Sequence, residues 1–370
     1  MPDKQKKKWA YIIGFGMALS AIHNVWITNS LTINGEVFIF LPAFGTAIWL
    51  MCALLFINFN WKYINWGNKW VEIPLAIFVL FMSITGFITG DSFTDKLAPM
   101  LMGLSLYSVY VVARTVGILV VRAFIPFVVI GALISIVVGL VNAGQPNGGM
   151  ISNYCASAGF LIFGAVVNRG KWQWSLLLIA LAGLFFIGAL EAVFIVGVLG
   201  LTLLIRRDFS KKFLIVAGIM VALVGLWYLL GHLIPLYKGN DNITALGQLV
   251  QGNPSVDMNA VTTGRWVVIK ESLYDIKFFG HGYSLSTVGG GIVHNIPLII
   301  LYQLGVIPAL MWVFVTIYCL IKTKWKYAWI AVIAMGVFDH YLFTQFVPFV
   351  WALIGISTTS TIKNDLIFKE

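Results

Sequence analysis

His294 stands where a polar segment gives way to an apolar one. The glycine run Gly289 to Gly291 precedes it, and Asn295, Ile296, Pro297 and Leu298 follow. An imidazole at such a boundary is partly dehydrated yet reachable from water. With an ordinary pKa of about 6.5, a neutral ring there accepts a proton from a hydroxyl near neutral pH. Arg265, upstream in the same segment, brings a planar fork matched to phosphate oxygens and a charge that it cannot lose. Together they suit displacement of a pyrophosphate leaving group by a sugar hydroxyl. His294 activates the acceptor, and Arg265 neutralises the charge that develops on the departing phosphate. His281 lies in the same segment. Each residue also has a plainer reading, with His294 as a packed loop histidine and Arg265 as an interfacial anchor.

The elements that must hold these groups are membrane helices. Of the 370 residues, 60% are hydrophobic and 10% charged, against about 25% charged in an ordinary soluble domain. Stretches such as Val37 to Ile57, Val71 to Ile88 and Phe213 to Leu230 are long enough, at about 20 residues, to cross a hydrocarbon layer. They recur from end to end, so residues 1–370 read as a single integral membrane domain. Twelve spans can be threaded, at roughly 10–28, 37–57, 71–89, 97–113, 123–143, 153–168, 173–188, 191–205, 213–234, 297–321, 327–341 and 343–360. With the N-terminus inside, every Lys and Arg except Lys96, Lys238, Arg265, Lys270 and Lys277 then falls on the inner side. The net charge of +10 therefore reports topology and not nucleic-acid binding. Arg114 and Arg122 are assigned to an inside loop, where topology alone accounts for them. Lys4, Lys6, Lys7 and Lys8 precede a span with no small-residue cleavage site, which predicts an N-terminal anchor inside.

Between spans nine and ten, residues 235–296 form the longest and most polar connection, on the extracytoplasmic side. Trp266, Ile269, Leu273 and Ile276 recur at helical spacing, predicting an amphipathic helix over 265–279 within a cap folded on the membrane surface. The fold expected is all-α: a polytopic membrane helix bundle of about twelve transmembrane helices with a helical periplasmic cap.

Thr263-Gly264-Arg265-Trp266, then Phe279-Gly280-His281-Gly282-Tyr283, then Val293-His294-Asn295-Ile296-Pro297-Leu298 with Gly305 beyond, resemble the C-terminal signature of the O-antigen ligase and O-antigen polymerase superfamily. Asn153, in Gly149-Met150-Ile151-Ser152-Asn153, is similar to the family's middle motif. The likeness covers roughly residues 145 to 360. It implies a metal-independent glycosyltransferase of the GT-C type in the bacterial inner membrane. Such an enzyme moves a glycan from undecaprenyl diphosphate to an acceptor sugar hydroxyl on the periplasmic side, with inversion and no cofactor. By the same resemblance His294 is the essential histidine and Arg265 the diphosphate-binding arginine.

Asn295, His281, Lys270, Glu191, Asp339 and His340 are the candidate substrate contacts. Glu191 occupies the tight hairpin between spans seven and eight, where many relatives carry an arginine. Either another basic residue such as Lys270 or Lys277 substitutes, or the substrate geometry differs, or the ancestral activity has been lost. Asp339 and His340 come at the outer end of span eleven. Cys52, Cys155 and Cys319 are odd in number and lack CxxC spacing, which predicts packing roles and neither disulfide nor zinc site. The outside loops hold no DxD arrangement, which predicts no metal. A transporter or flippase of lipid-linked oligosaccharide is the main alternative. It would show paired halves with charges near the midplane, whereas the polar residues here gather in one cap. A structural membrane protein without chemistry is a third reading, and ligase and polymerase are not separated.

Overall fold

A long apolar run in lipid can satisfy its backbone only by coiling on itself. The computed structural model describes residues 1–21, 32–33, 36–37, 40–64, 69–90, 93–120, 123, 126, 255, 265–282, 293, 295–323, 325–337 and 347–359. These are helical almost throughout. In chain order they form α1 (Asp3–Ala21), a hairpin of β1 (Thr32–Ile33) and β2 (Glu36–Val37), α2 (Phe40–Asn60), α3 (Lys69–Thr89) and α4 (Phe93–Val116). After position 264 follow α5 (Arg265–Tyr274), α6 (Ile296–Leu304), α7 (Val306–Lys322), α8 (Lys326–Gly336) and α9 (Val347–Thr358).

By length and composition, Lys69–Thr89 and the stretch Pro99–Val116 of α4 are each able to cross a membrane. In α3 the two faces separate cleanly. Val71, Leu75, Phe78, Val79 and Met82 are buried, while Ile73, Leu80, Phe87 and Ile88 are exposed, both sets at the spacing of one helical stripe. Close approach of α3 and α4 is made by small residues, as membrane helices favour. Gly86 faces Pro99 and Gly103 faces Val79. α4 is the hub of the described bundle, packing against α1, α2, α3 and α9.

Polar contacts at the helix ends fix the antiparallel pairings. Gln5 Nε2 donates to Asn60 Oδ1 (2.9 Å), joining the start of α1 to the end of α2, so the N-terminal lysines and Lys62 share one end of that pair. Arg114 Nη1 lies 2.9 Å from Glu72 Oε1 and 2.8 Å from the Tyr110 hydroxyl, joining the end of α4 to the start of α3. The Thr359 hydroxyl donates to the Arg114 carbonyl, bringing the end of α9 to the same place. Arg114 is thus not a loop residue placed by topology alone: it belongs to the last turn of α4 and is 3% exposed. A charge so buried persists only with a partner, and removing one side strands the other. A double-mutant cycle of Arg114→Met and Glu72→Leu, read by thermal unfolding in detergent, should give a coupling of about 1–3 kcal/mol. Additive losses would show the pair to be incidental.

The span expected over 297–321 is two helices. α6 has nine residues, the chain breaks at Gly305, and α7 runs the remaining 17 residues to Lys322. The amphipathic helix expected over 265–279 stops at Tyr274. Spans 123–143, 153–168, 173–188, 191–205 and 213–234 lie outside the described residues, but for positions 123 and 126, as does most of 235–296.

Candidate functional site

The motif region is built around the break between α6 and α7. α6 starts where Asn295, in extended backbone, accepts the Leu298 N–H on Oδ1 (3.0 Å). Pro297 occupies a first-turn position that needs no donor. The same Asn295 side chain donates from Nδ2 to the Val337 carbonyl (3.2 Å), pinning the start of α6 to the end of α8. Both ends of this amide are therefore engaged in positioning.

A helix end inside a core leaves its last carbonyls in need of donors. Here those of residues 300 to 303 accept backbone N–H groups, and that of Leu304 shares one hydroxyl with Phe279. The Gly305 N–H reaches the Ile300 and Leu301 carbonyls, the His281 N–H donates to Tyr302 (2.9 Å), and the Gly282 N–H donates to Gln303 (3.0 Å). The Thr85 hydroxyl of α3 lies 3.3 Å from the Leu304 carbonyl and 3.0 Å from that of Phe279. In return the Val306 N–H at the head of α7 donates to the Phe278 carbonyl (3.0 Å). The Gly-His-Gly segment is thus the remote cap of α6.

Only glycine fits where the two strands of backbone cross. Gly280 (φ 72) and Gly305 (φ 93) both occupy left-handed backbone. A Cβ at Gly280 would overlap the Gln303 carbonyl, and one at Gly305 would overlap the carbonyl of Phe278. The glycines of the motif thus have a steric reason that holds whatever the chemistry.

His281 is clamped from two sides. Its ring stacks on Tyr302, with centroids 4.2 Å apart and planes 16° from parallel. Its Nε2 lies 2.6 Å from the Asp275 carbonyl oxygen and 3.4 Å from the Asp275 carboxylate. Arg265 opens α5 and is half-buried. α5 packs on α6, with Val268 and Ile269 turned to the core, while Lys270 is exposed and holds its ammonium 5.4 Å from the Trp266 ring. Arg265, Lys270, His281 and Asn295 are thereby carried on one packed unit formed by α5, the turn after it and α6.

No family model, curated protein or solved structure matches this chain. Function has to be read from the site itself. His294, Glu191, Asp339 and His340 lie outside the described residues, as does Asn153. Among the described residues no group of three His, Cys, Asp or Glu side chains converges. Cys52 and Cys319 are free thiols.

Two residues that organise this unit were not singled out in the sequence. Thr85 is a hydroxyl with no exposure in the middle of an apolar stripe, and a polar group so placed in a membrane helix signals a partner. Tyr302 provides the platform for His281, and only its aromatic character gave a signal.

Proposed function

We propose that this chain is a metal-independent membrane glycosyltransferase of the O-antigen ligase or polymerase type. It works in the bacterial cytoplasmic membrane, with about twelve spans, both termini inside and the site on the periplasmic face. Its donor is a glycan on undecaprenyl diphosphate and its acceptor a sugar hydroxyl. His294 takes the hydroxyl proton, the acceptor oxygen attacks the anomeric carbon, and the bond to the diphosphate breaks with Arg265 holding the leaving oxygens.

One observation carries this reading. The helix that opens on Arg265 packs directly on the helix whose N-cap, Asn295, immediately follows His294. Motif elements separated in sequence thus belong to one unit, as an enzyme site requires. The unit is also rigid at its break, since carbonyls 300 to 303 already accept hydrogen bonds from the chain itself. A transporter that uses a broken helix leaves such carbonyls to coordinate its ions.

The test is transfer of glycan from an undecaprenyl-diphosphate donor to an acceptor by purified protein in proteoliposomes. Product with the parent supports the proposal; its absence, with donor moved across the bilayer instead, supports the flippase. Arg265→Ala should weaken donor binding about tenfold or more, the equivalent of losing charge-assisted hydrogen bonds worth about 1.5–3 kcal/mol. Arg265→Lys should recover only part, because a point charge lacks the fork. Unchanged donor affinity in Arg265→Ala would remove the arginine from the site.

A further inference from the structure

The turn that follows α5 has the wrong residues for water. The Gly280 N–H donates to the Lys277 carbonyl (3.1 Å), which makes Lys277-Phe278-Phe279-Gly280 a β-turn with two phenylalanines at its apex. Turn apices in water favour Gly, Pro, Asn, Asp and Ser. Here Phe278 is 54% exposed and Phe279 40%, and their rings meet edge to face at 5.0 Å. Ile276 is exposed beside them.

The height of this turn along α3 explains the composition. The Phe279 ring stacks on Phe81 with centroids 6.5 Å apart, and its carbonyl faces the Thr85 hydroxyl. α3 has 21 residues, about 31 Å at 1.5 Å per residue, which matches the thickness of a hydrocarbon core. Phe81 and Thr85 come eight and four residues before its end at Thr89, hence about 12 Å and 6 Å below its outer terminus. The Phe279 ring is therefore level with the interior of the outer leaflet and the backbone of the turn nearer the boundary, beside the exposed α3 stripe that ends in Phe87 and Ile88.

Non-helical backbone at that depth is tolerated only where its polar groups are satisfied within the protein. The carbonyls of Lys277, Phe278 and Phe279 and the N–H groups of Gly280, His281 and Gly282 meet that condition. The N–H groups of Lys277, Phe278 and Phe279 have no acceptor among the described residues, which keeps the backbone of the turn at the headgroup boundary and lets only its rings enter the acyl region. Lys277 lies within the turn, between Ile276 and Phe278, and its flexible stem lets the ammonium reach upward to lipid phosphates. Asp275, whose side chain is 59% exposed, likewise belongs at the headgroup level.

We infer that the Phe278 and Phe279 rings of this turn are seated among the acyl chains of the outer leaflet while its backbone stays at the headgroup boundary, so that the periplasmic segment is anchored in lipid and not merely laid on its surface. The partner is the bilayer lipid itself. This rests on the membrane setting proposed above and not on the transferase activity.

The test places benzoylphenylalanine at position 278, and separately at Ile73 on the α3 stripe, in the full chain. The protein is reconstituted in phosphatidylethanolamine–phosphatidylglycerol vesicles, irradiated and weighed by mass spectrometry. The expected result is phospholipid adduct as the main product at 278, at a yield within about twofold of that at 73, both positions contacting the same hydrocarbon. Cross-links to protein at 278 would mean that another segment covers the turn, and absence of any adduct at 278 would mean that it faces water; either overturns the inference. Loss of lipid adduct at Ile73 as well would instead overturn the membrane setting.

Discussion

Replacing His294 by alanine is expected to lower glycan transfer by about 10²–10⁴-fold, the usual contribution of a positioned general base. Donor affinity should be retained. A sugar hydroxyl is a poor nucleophile until its proton has somewhere to go, so loss of the imidazole acts on the transition state and leaves the diphosphate contacts in place. The loss should therefore fall on kcat, and kcat and kcat/KM should drop together. The contrast with Arg265→Ala is diagnostic, because the guanidinium is proposed to bind the donor before it stabilises the departing charge. Donor binding by equilibrium titration and transfer by product mass separate the two. Turnover by His294→Ala at the parent rate would eliminate the proposed base, however well the protein bound its donor.

How far the sequence was readable depends on the range of the interaction involved. The span that became α3 was legible because its apolar run is as long as a hydrocarbon layer is thick. Its faces were not, since the buried Val71, Leu75 and Phe78 and the exposed Ile73 and Leu80 are equally apolar. The break at Gly305 was only half legible. Hydropathy averages across it, since α6 and α7 are both apolar, and the donors that make a break tolerable come from Gly280-His281-Gly282 and from Thr85, which is 219 residues from the carbonyl that it faces.

Arg114 shows a different limit. A charge rule counts sign and position but does not see pairing, and Glu72 lies 42 residues away. The helix over 265–279 ended early for a local reason. Ile276 continues the helical spacing, but Asp275 gives its carbonyl to His281, and the chain must turn at Lys277 to bring Gly280 against Gln303. Of the site, the sequence supplied residue types and order. What positions Arg265, His281 and Asn295 comes largely from other segments: Tyr302 stacks on His281, the Val337 carbonyl holds the Asn295 amide, and Val268 and Ile269 pack the helix of Arg265 on the core.

Gly305→Ala should be among the most destabilising single substitutions in the described structure. Gly305 combines φ 93 with ψ −175, a region of backbone open essentially to glycine alone, where another residue costs about 1–3 kcal/mol. The added methyl would also strike the Phe278 carbonyl and displace it from the Val306 N–H. Leaving such buried groups unpaired costs about 1–3 kcal/mol more for each one lost. Against a total stability of about 5–15 kcal/mol, that sum is enough to prevent accumulation of folded protein or to lower its melting temperature by many degrees. Gly117→Ala is the matched control. Gly117 has φ 78 but nothing within 4 Å of an added Cβ, so it should show the backbone term alone, about 1–2 kcal/mol. Thermal unfolding of the two variants in the same detergent separates steric crossing from backbone strain. If both lose the same stability, the close approach of the 278–282 segment to the α6–α7 break is not what holds the motif in place.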